Sequence, residues 1–252
     1  MELGLGDRVA IVTGASRGIG RGVAEALLGE GAMVLAVGRD ESLLESLKAI
    51  APDRVEVAVC EMTDRDAVAA LPGAAVSAFG RLDIVVNNAG VGGGWPLTQL
   101  DWARWDNLLE VNVTAPAILS TASIEHFSAR RAGKIVNVAS TTSIRGVANL
   151  AGYSTTKGAL LELTRSLALE WASLGVQVNA IGPGAFATDQ QKALLSSPQE
   201  RIDARLANIP DRRMGQPSEA GALVCFLASP VSDHITGALY MIDGGESVQL
   251  IR

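Results

Sequence analysis

The sequence has few cysteines, no excess of positive charge and no long hydrophobic run, and each absence excludes a class of protein. Cys60 and Cys225 are its only cysteines and lie far apart, so they form neither a disulfide framework nor a metal-binding spacing. The formal net charge of −6 argues against nucleic acid or an anionic membrane as the main partner. No apolar run could span a bilayer, and the first residues lack the basic and apolar regions of an export signal. We therefore expect a soluble, cytoplasmic protein without nucleic-acid or membrane partners.

What the sequence does contain is an alternation of short apolar runs with longer helical patterns. The 252 residues are 48% hydrophobic and 19% charged, enough for one large domain, and no linker divides residues 1–252. The short runs are rich in β-branched residues and nearly continuous, as in strands buried on both faces of a parallel sheet. The pattern predicts an α/β fold: a single-domain, Rossmann-type, doubly wound sheet of about seven parallel strands with helices on both faces.

The predicted strands comprise residues 9–13, 33–37, 55–60, 84–87, 134–138, 176–181 and 238–242. The predicted helices comprise residues 19–29, 40–50, 64–79, 101–128, 153–174 and 217–228. Gly29, Gly31 and Gly80 fall where helix C-caps are expected. The connection from Pro183 to Pro210 is unusually long and contains weak helix signals but no strand, so we predict a substrate lid at about residues 185–210.

A glycine-rich segment follows the first predicted strand and opens the first predicted helix. Its spacing is Gly-x3-Gly-x-Gly rather than the standard Gly-x-Gly-x-x-Gly of dinucleotide sites. Glycines let the backbone approach a pyrophosphate, and a helix N-terminus offers unpaired N–H groups. Such a turn also occurs without a ligand, but its position on the first strand of a β-α-β unit favours dinucleotide binding. The candidate contacts in this segment are Gly14, Ser16, Arg17, Gly18, Ile19 and Gly20.

The same segment also matches the nucleophile elbow of serine hydrolases, Gly-x-Ser-x-Gly. Ser16 would be the nucleophile, and His234, preceded by Asp233, could supply the histidine. An elbow on the first strand has no preceding sheet to carry the oxyanion loop, so this alternative is the weaker one.

The end of the second predicted strand bears on cofactor choice. Gly38, Arg39 and Asp40 stand where a dinucleotide site places either an acidic residue for the ribose 2′-hydroxyl or an arginine for a 2′-phosphate. Arg39, together with Arg17, favours NADP(H), and NAD(H) remains possible. The alternative is that Arg39 is a solvated loop residue, and Asp40 is expected to cap the next helix under either interpretation.

Tyr153 and Lys157 lie one helical turn apart near the start of a predicted helix. A free phenol has a pKa near 10, and a neighbouring cation stabilises its phenolate form, so this pair could provide a general acid or base. An isolated Tyr-x3-Lys pair is more often only a helix surface. Two other positions strengthen the catalytic interpretation: Ser140 follows the fifth strand at the edge where α/β sheets bind ligands, and Asn112 interrupts an apolar helical stretch.

Taken together, these residues resemble the short-chain dehydrogenase/reductase family over essentially the whole chain. Ser140 and Tyr153 are 13 residues apart, as the family pattern requires. Glu61 and Met62 depart from the family's usual Asp followed by an aliphatic residue, which puts little in doubt. The matching positions run from the glycine segment through Asn88, Ala89, Gly90, Asn112, Ser140, Tyr153 and Lys157 to Pro183, Gly184, Thr188, Asp243, Gly244 and Gly245.

The resemblance implies an NADP(H)-preferring oxidoreductase that interconverts a carbonyl and a secondary alcohol. Tyr153 would be the general acid/base, with Lys157 lowering its pKa and holding the nicotinamide ribose. Ser140 would hydrogen-bond the substrate oxygen, and Asn112 would hold a water in a proton relay to Lys157. Glu61 and Met62 would flank the adenine. The remaining implied cofactor contacts are Arg39, Asn88, Ala89, Gly90, Pro183, Gly184, Phe186 and Thr188.

The substrate is much less constrained. The pattern is similar to 3-oxoacyl-carrier-protein reductases and to sugar-acid or polyol dehydrogenases such as gluconate 5-dehydrogenase. Carrier-protein docking requires rim arginines: Arg130 and Arg131 lie near one such place, but Leu174 occupies the other. Arg145 could pair with a substrate carboxylate, although a surface arginine is the commoner outcome. The resemblance also implies a homotetramer, and a non-catalytic cofactor-binding sensor is a further alternative that the intact Ser140, Tyr153 and Lys157 argue against.

Overall fold

A parallel sheet forms the centre of the computed structural model, which describes residues 2–99, 101–188 and 198–249. Within these ranges it has seven strands in the order β3-β2-β1-β4-β5-β6-β7, and every neighbouring pair is parallel. The predicted fold class is confirmed, with strand ends shifted by one or two residues. The strands are β1 Val9–Thr13, β2 Met33–Gly38, β3 Val55–Val59, β4 Ile84–Asn87, β5 Gly133–Val138, β6 Val176–Pro183 and β7 Leu239–Ile242.

Helices cover both faces of the sheet. Alternate residues of β1 separate the two cores: Ala10 and Val12 pack with α1, α2 and α8, whereas Val9 and Ile11 pack with α3, α5 and α6. Two buried faces explain why the strands are continuous apolar runs in the sequence. The helices are α1 Gly18–Gly29, α2 Glu41–Lys48, α3 Arg65–Phe79, α4 Trp102–Leu109, α5 Ala115–Ser128, α6 Ala151–Trp171, α7 Gln199–Ala207 and α8 Pro217–Ala228.

Aspartates set the start of three helices. The side chains of Asp40, Asp64 and Asp101 each accept a hydrogen bond from the backbone N–H three residues later. They are N-caps, so α2, α3 and α4 begin one residue after the predicted starts. The C-cap predicted at Gly80 is confirmed by its left-handed φ of 79°, whereas α1 ends at Gly29 itself and Gly31 adopts the left-handed conformation.

The helix predicted for residues 101–128 extends without a break from Trp102 to Ser128, but it contains a π-helical turn that the sequence pattern does not predict. A π-helical turn, Glu110–Thr114, separates α4 from α5, and Asn112 lies within it. Such turns occur most often at functional sites, and local sequence carries little signal for them.

The strand order reverses between β1 and β4: the chain first adds strands outward from β1 to β3, and then returns to the other side of β1 and adds β4 to β7. In doubly wound folds ligands bind at this reversal, outside the carboxyl ends of the strands. The predicted lid at residues 185–210 lies partly outside the described residues, and its described part contains α7. No helix in the described ranges is long and apolar enough to cross a membrane.

Candidate active site

The glycine-rich segment connects β1 to α1 at the carboxyl edge of the sheet. Gly14 and Gly18 have positive φ angles of 67° and 58°. A Cβ at Gly20 would lie 2.2 Å from the carbonyl oxygen of Gly14, so only glycine fits there. Residue 17 caps α1 without a side-chain hydrogen bond, and the first turn of α1 has no acidic residue. The backbone N–H groups there suit a phosphate, so the residues present fit the pyrophosphate of a dinucleotide.

Asn88 fixes the shape of this loop. Its side-chain amide donates to the carbonyl oxygens of Thr13, at 2.8 Å, and Gly14, at 3.3 Å. The Thr13 hydroxyl in turn accepts hydrogen bonds from the backbone N–H groups of Asn88 and Ala89, both at 3.0 Å. The end of β4 is thereby tied to the glycine loop. The amide of Asn88, which we predicted to contact the cofactor, is therefore already used in positioning the backbone.

The ends of β2 and β3 carry exposed charges. Arg17 lies 3.2 Å from Asp40, and Arg39 lies 3.5 Å from Glu61. The two arginine side chains are 52% and 71% exposed, so either could turn toward a phosphate. Met62 beside them is buried, and its backbone N–H donates a hydrogen bond to the Glu61 carboxylate. Asp40 caps α2, as predicted.

Ser140, Tyr153 and Lys157 come together at the carboxyl end of β5. The Ser140 hydroxyl accepts a hydrogen bond from the backbone N–H of Thr142 at 3.2 Å, and Ser140 lies beside the Tyr153 phenol, whose pKa it acts to lower. Lys157 Nζ donates to the carbonyl oxygen of Val138, the last residue of β5, at 2.8 Å. The strand that delivers Ser140 therefore also anchors Lys157. The nitrogen lies 5.7 Å from the centre of the Tyr153 ring.

Burial dominates the electrostatics of this group. It raises the pKa of Tyr153, and the Ser140 hydrogen bond opposes that rise only in part. Burial also lowers the pKa of Lys157 to about 8, since no carboxylate compensates for the loss of water. In this arrangement burial sets the direction of the Tyr153 pKa and Lys157 Nζ donates to the Val138 carbonyl, so the lowering of the Tyr153 pKa by Lys157 stays a prediction.

Asn112 is fully buried and its amide is committed to the protein. Nδ2 donates to the Val91 carbonyl and to the Thr156 hydroxyl, and Oδ1 accepts from the Val91 N–H, all at 2.9 Å. Both amide hydrogens are used, so this side chain joins the loop after β4 to α6. The predicted water relay would have to use its main chain.

The loop after β4 forms a wall beside Tyr153. A Cβ at Gly92 would lie 3.5 Å from the Tyr153 ring, and one at Gly94 would lie 3.5 Å from Leu150. Arg104 stacks over the Trp95 ring at 4.8 Å. The loop after β4 therefore lies against both Tyr153 and Leu150.

The segment after β6 forms the opposite side of the site. A Cβ at Gly184 would meet Asp243 at 2.8 Å, and one at Gly18 would meet the Thr188 side chain at 3.3 Å. Pro183 ends β6 at the same edge. Phe186 is different: its side chain is buried in the core and packs on Gly215, so only its backbone could contact a cofactor.

The hydrolase alternative is wrong. Ser16 lies after the carboxyl end of β1, whereas Asp233 bonds Lys134, near the start of β5, at 2.6 Å. Asp233 and His234 are therefore at the amino edge, separated from Ser16 by about the length of a strand, some 15–20 Å. The described residues also contain no cluster of three His, Cys, Asp or Glu side chains that could hold a metal ion.

A glycine loop at the sheet reversal and a Ser-Tyr-Lys group at the same edge define a dinucleotide-dependent oxidoreductase site. A family model described as enoyl-(acyl carrier protein) reductase matches residues 14–247. The chain belongs to the short-chain dehydrogenase/reductase family, and it is an oxidoreductase.

Two curated relatives and one solved structure illustrate the similarity. A 3-oxoacyl-(acyl-carrier-protein) reductase of Vibrio cholerae is 37% identical over 96% of this chain and 98% of its own length. A gluconate 5-dehydrogenase of Gluconobacter oxydans is 36% identical over 96% and 95%. A provisionally assigned NAD(P)-dependent gluconate 5-dehydrogenase from Beutenbergia cavernae, with NADP bound at low occupancy, superposes with a TM-score of 0.91 at 34% identity over 99% and 100%.

Proposed function

We propose that the protein interconverts a carbonyl and a secondary alcohol with NADP(H) preferred over NAD(H), and that Tyr153 is the general acid/base. The observation that carries this proposal is that Ser140, the half-buried Tyr153 and the buried Lys157 come together at the carboxyl end of β5, with Lys157 fixed to that strand. Burying an amine beside a phenol is costly, and such costly groups gather at functional sites.

Each side chain has one task in this proposal. Ser140 already accepts a hydrogen bond from Thr142, so its hydroxyl hydrogen is available for a substrate oxygen. Tyr153 exchanges its phenolic proton with that oxygen, and its raised pKa keeps it protonated at neutral pH, as carbonyl reduction requires. Lys157 has a pKa of about 8, close to neutral pH, so it can hold or release a proton beside Tyr153.

The cofactor would be held by the loop residues 14–20 through the N-terminus of α1, with its nicotinamide toward Tyr153. When bound, the nicotinamide supplies or accepts the hydride. The NADP(H) preference is supported by the two exposed arginines, Arg17 and Arg39, near the end of β2. Asp40 and Glu61 compete for them, which leaves NAD(H) usable.

The two substrate classes differ in their support. Arg130, which carrier-protein docking would need, contacts the Leu82 carbonyl and Asp83. Arg131 donates to the Ser173 carbonyl, next to Leu174. Both arginines make contacts within the protein, and Leu174 stands at the other docking place, which together support a small sugar acid or polyol better than a carrier-protein substrate.

The direct test is a substrate panel with both cofactors in both directions. Purified protein is mixed with NADPH or NADH and small ketones, keto acids or acyl thioesters, and the loss of reduced-cofactor absorbance is followed. We expect NADPH oxidation with at least one carbonyl of the panel. Absence of turnover with every carbonyl and every alcohol, in protein that binds NADPH, would count against the proposed function.

We also propose a homotetramer acting in the cytoplasm. Leu160 and Leu167 of α6 are buried in the core, whereas Leu169 on the same helix is 85% exposed. Trp102 and Val248 are exposed to a similar extent, at 75% and 83%. Exposed large apolar side chains fit subunit contacts, and light scattering at micromolar concentration would measure the subunit number.

A further inference from the structure

Two arginines from different elements hold one nearly buried carboxylate, that of Glu246. Arg145 donates to the Glu246 carbonyl oxygen and to Oε1, both at 2.8 Å. Arg205 donates to Oε2 at 3.1 Å. The Glu246 side chain is 10% exposed, whereas those of Arg145 and Arg205 are 32% and 30% exposed. We call these three residues the Glu246 cluster.

The cluster borders the candidate active site. Arg145 follows Ser140 by five residues, and Glu246 follows β7. A Cβ at Gly184 would lie 3.1 Å from Glu246 Oε2, so the carboxylate sits against the segment after β6. Arg205 comes from α7, in the predicted lid. The cluster therefore lies at the carboxyl edge, on the side of Ser140 and the segment after β6 rather than on the side of α1.

Arg145 and Arg205 carry more N–H donors than Glu246 accepts. Two guanidinium groups face one carboxylate, and the neighbouring Asp243 already accepts the backbone N–H groups of Gly245 and Ser247. Within the described residues, Arg145 Nε is buried without a hydrogen-bond partner, as are the hydroxyls of Thr142 and Ser247. Unpaired buried donors raise the free energy of the folded protein, and an incoming anion with two oxygens would recover part of that cost.

We propose that Arg145, oriented by Glu246, binds the carboxylate of the substrate, so that the substrates are hydroxy acids and the corresponding keto acids. The inference rests on the proposed carbonyl–alcohol activity and names the substrate class of that site. Arg205 adds a second cation from α7 when the acid is bound. A neutral acyl thioester has no carboxylate to pair with the guanidinium groups of Arg145 and Arg205.

The test compares keto acids with their own primary amides, which differ in charge but hardly in shape. The probes are 4-oxocyclohexanecarboxylate and 5-oxohexanoate, each beside its amide, with NADPH as reductant. We expect kcat/KM to be about 30-fold higher for an acid than for its amide, as loss of a charge-assisted hydrogen bond predicts. Arg145→Met should abolish this difference mainly by raising KM for the acids, so that each acid and its amide are reduced with similar kcat/KM. Arg145→Lys should restore part of it.

The control is Arg213→Met, which removes an arginine paired with Glu219 outside the cluster and should leave the acid-to-amide ratio unchanged. If Arg145→Met does not fold, the double variant Arg145→Met, Glu246→Gln replaces it, since no carboxylate is then left without its partner. Equal rates for acids and amides, equal losses for both in the variant, or turnover of thioesters but no acid would each overturn the carboxylate site. No turnover of any carbonyl would instead refute the proposed function.

Discussion

Each edge of the sheet has a nearly buried carboxylate held by arginines, and the two differ in what surrounds them. At the amino edge, Asp83 contacts Arg8, Arg81 and Arg130 at 3.1, 2.7 and 3.2 Å and accepts the backbone N–H of Val9. These bonds join the start of β1, the start of β4 and the end of α5. At the carboxyl edge, Glu246 is held by Arg145, which follows β5, and by Arg205 of α7. Among the described residues, Arg145 Nε has no hydrogen-bond partner.

The buried lysines show the same difference. Lys134, at the amino edge, bonds Asp233 at 2.6 Å, whereas Lys157, at the carboxyl edge, has only the Val138 carbonyl. Burial lowers the pKa of both, but Asp233 opposes the shift for Lys134. In the described part of the chain, Lys134 thus has a carboxylate partner and Lys157 has none. We therefore expect substitutions at the amino edge to change stability and those at the carboxyl edge to change catalysis.

The largest effect is expected for Tyr153→Phe. Removing the phenolic hydroxyl removes the proposed acid/base, so kcat should fall about 1,000-fold, the usual range for such a group. The free energy of unfolding should change little, because only the phenolic hydroxyl is removed and the ring keeps its packing. Steady-state kinetics and urea unfolding of the same preparation measure both. A variant that keeps full turnover would refute the assignment of Tyr153.

Asp83→Asn should have the opposite profile. Its carboxylate is the partner of three cations, so the variant should lose about 3 kcal/mol of stability while kcat stays near that of the parent. Burial would raise the pKa of Asp83, but the bonds from Arg81 and the Val9 N–H outweigh it and lower the pKa. The contribution is therefore present above the usual pKa of an aspartate and lost in acid.

Asp7→Asn is the matched control for this prediction, because Asp7 pairs with Arg54 at the same edge but is 80% exposed. It should have no measurable effect. If Asp7→Asn and Asp83→Asn lowered the free energy of unfolding equally, buried and exposed ion pairs at the amino edge would not differ as proposed.

The pH dependence of stability should separate the two lysines. Between pH 8 and the ordinary lysine pKa of 10.5, the unfolded chain holds a proton at residue 157 that the folded chain does not. The free energy of unfolding should therefore rise with pH in this window, by up to roughly 2 kcal/mol relative to Lys157→Met. Tyr153, whose pKa is raised above 10, titrates higher. Lys134→Met should reduce the rise of the free energy of unfolding with pH by less than Lys157→Met does. Equal reductions in the two variants would contradict the comparison of the two lysines.

The sequence predicts the sheet and the catalytic residues because both depend on local patterns. Strands buried on two faces are continuous apolar runs, and Tyr153 and Lys157 share one helical turn. Ser140 follows because strand ends gather at one edge.

The partners of Arg145 and Asn112 could not be predicted in this way. Arg145 meets Glu246 across 101 residues, and Asn112 meets Thr156 across 44. The direction of the Tyr153 pKa also needed the fold, because it depends on how deeply the ring is buried. The spacing of Tyr153 and Lys157 alone suggests a lowered pKa for Tyr153, the opposite direction.

The smallest effect is expected for Arg39→Ala, which tests whether exposed charge at the carboxyl edge acts on ligands rather than on stability. The Arg39–Glu61 pair is largely exposed, so its removal should leave the free energy of unfolding unchanged. A guanidinium that contacts the 2′-phosphate contributes only to NADP(H), so the ratio of kcat/KM for NADPH to that for NADH should fall about tenfold. Arg54→Ala is the control, since Arg54 forms an exposed pair at the amino edge and should leave that ratio unchanged. A ratio that Arg39→Ala also leaves unchanged would mean that Glu61 keeps Arg39 away from the cofactor, and the preference would then have to come from Arg17.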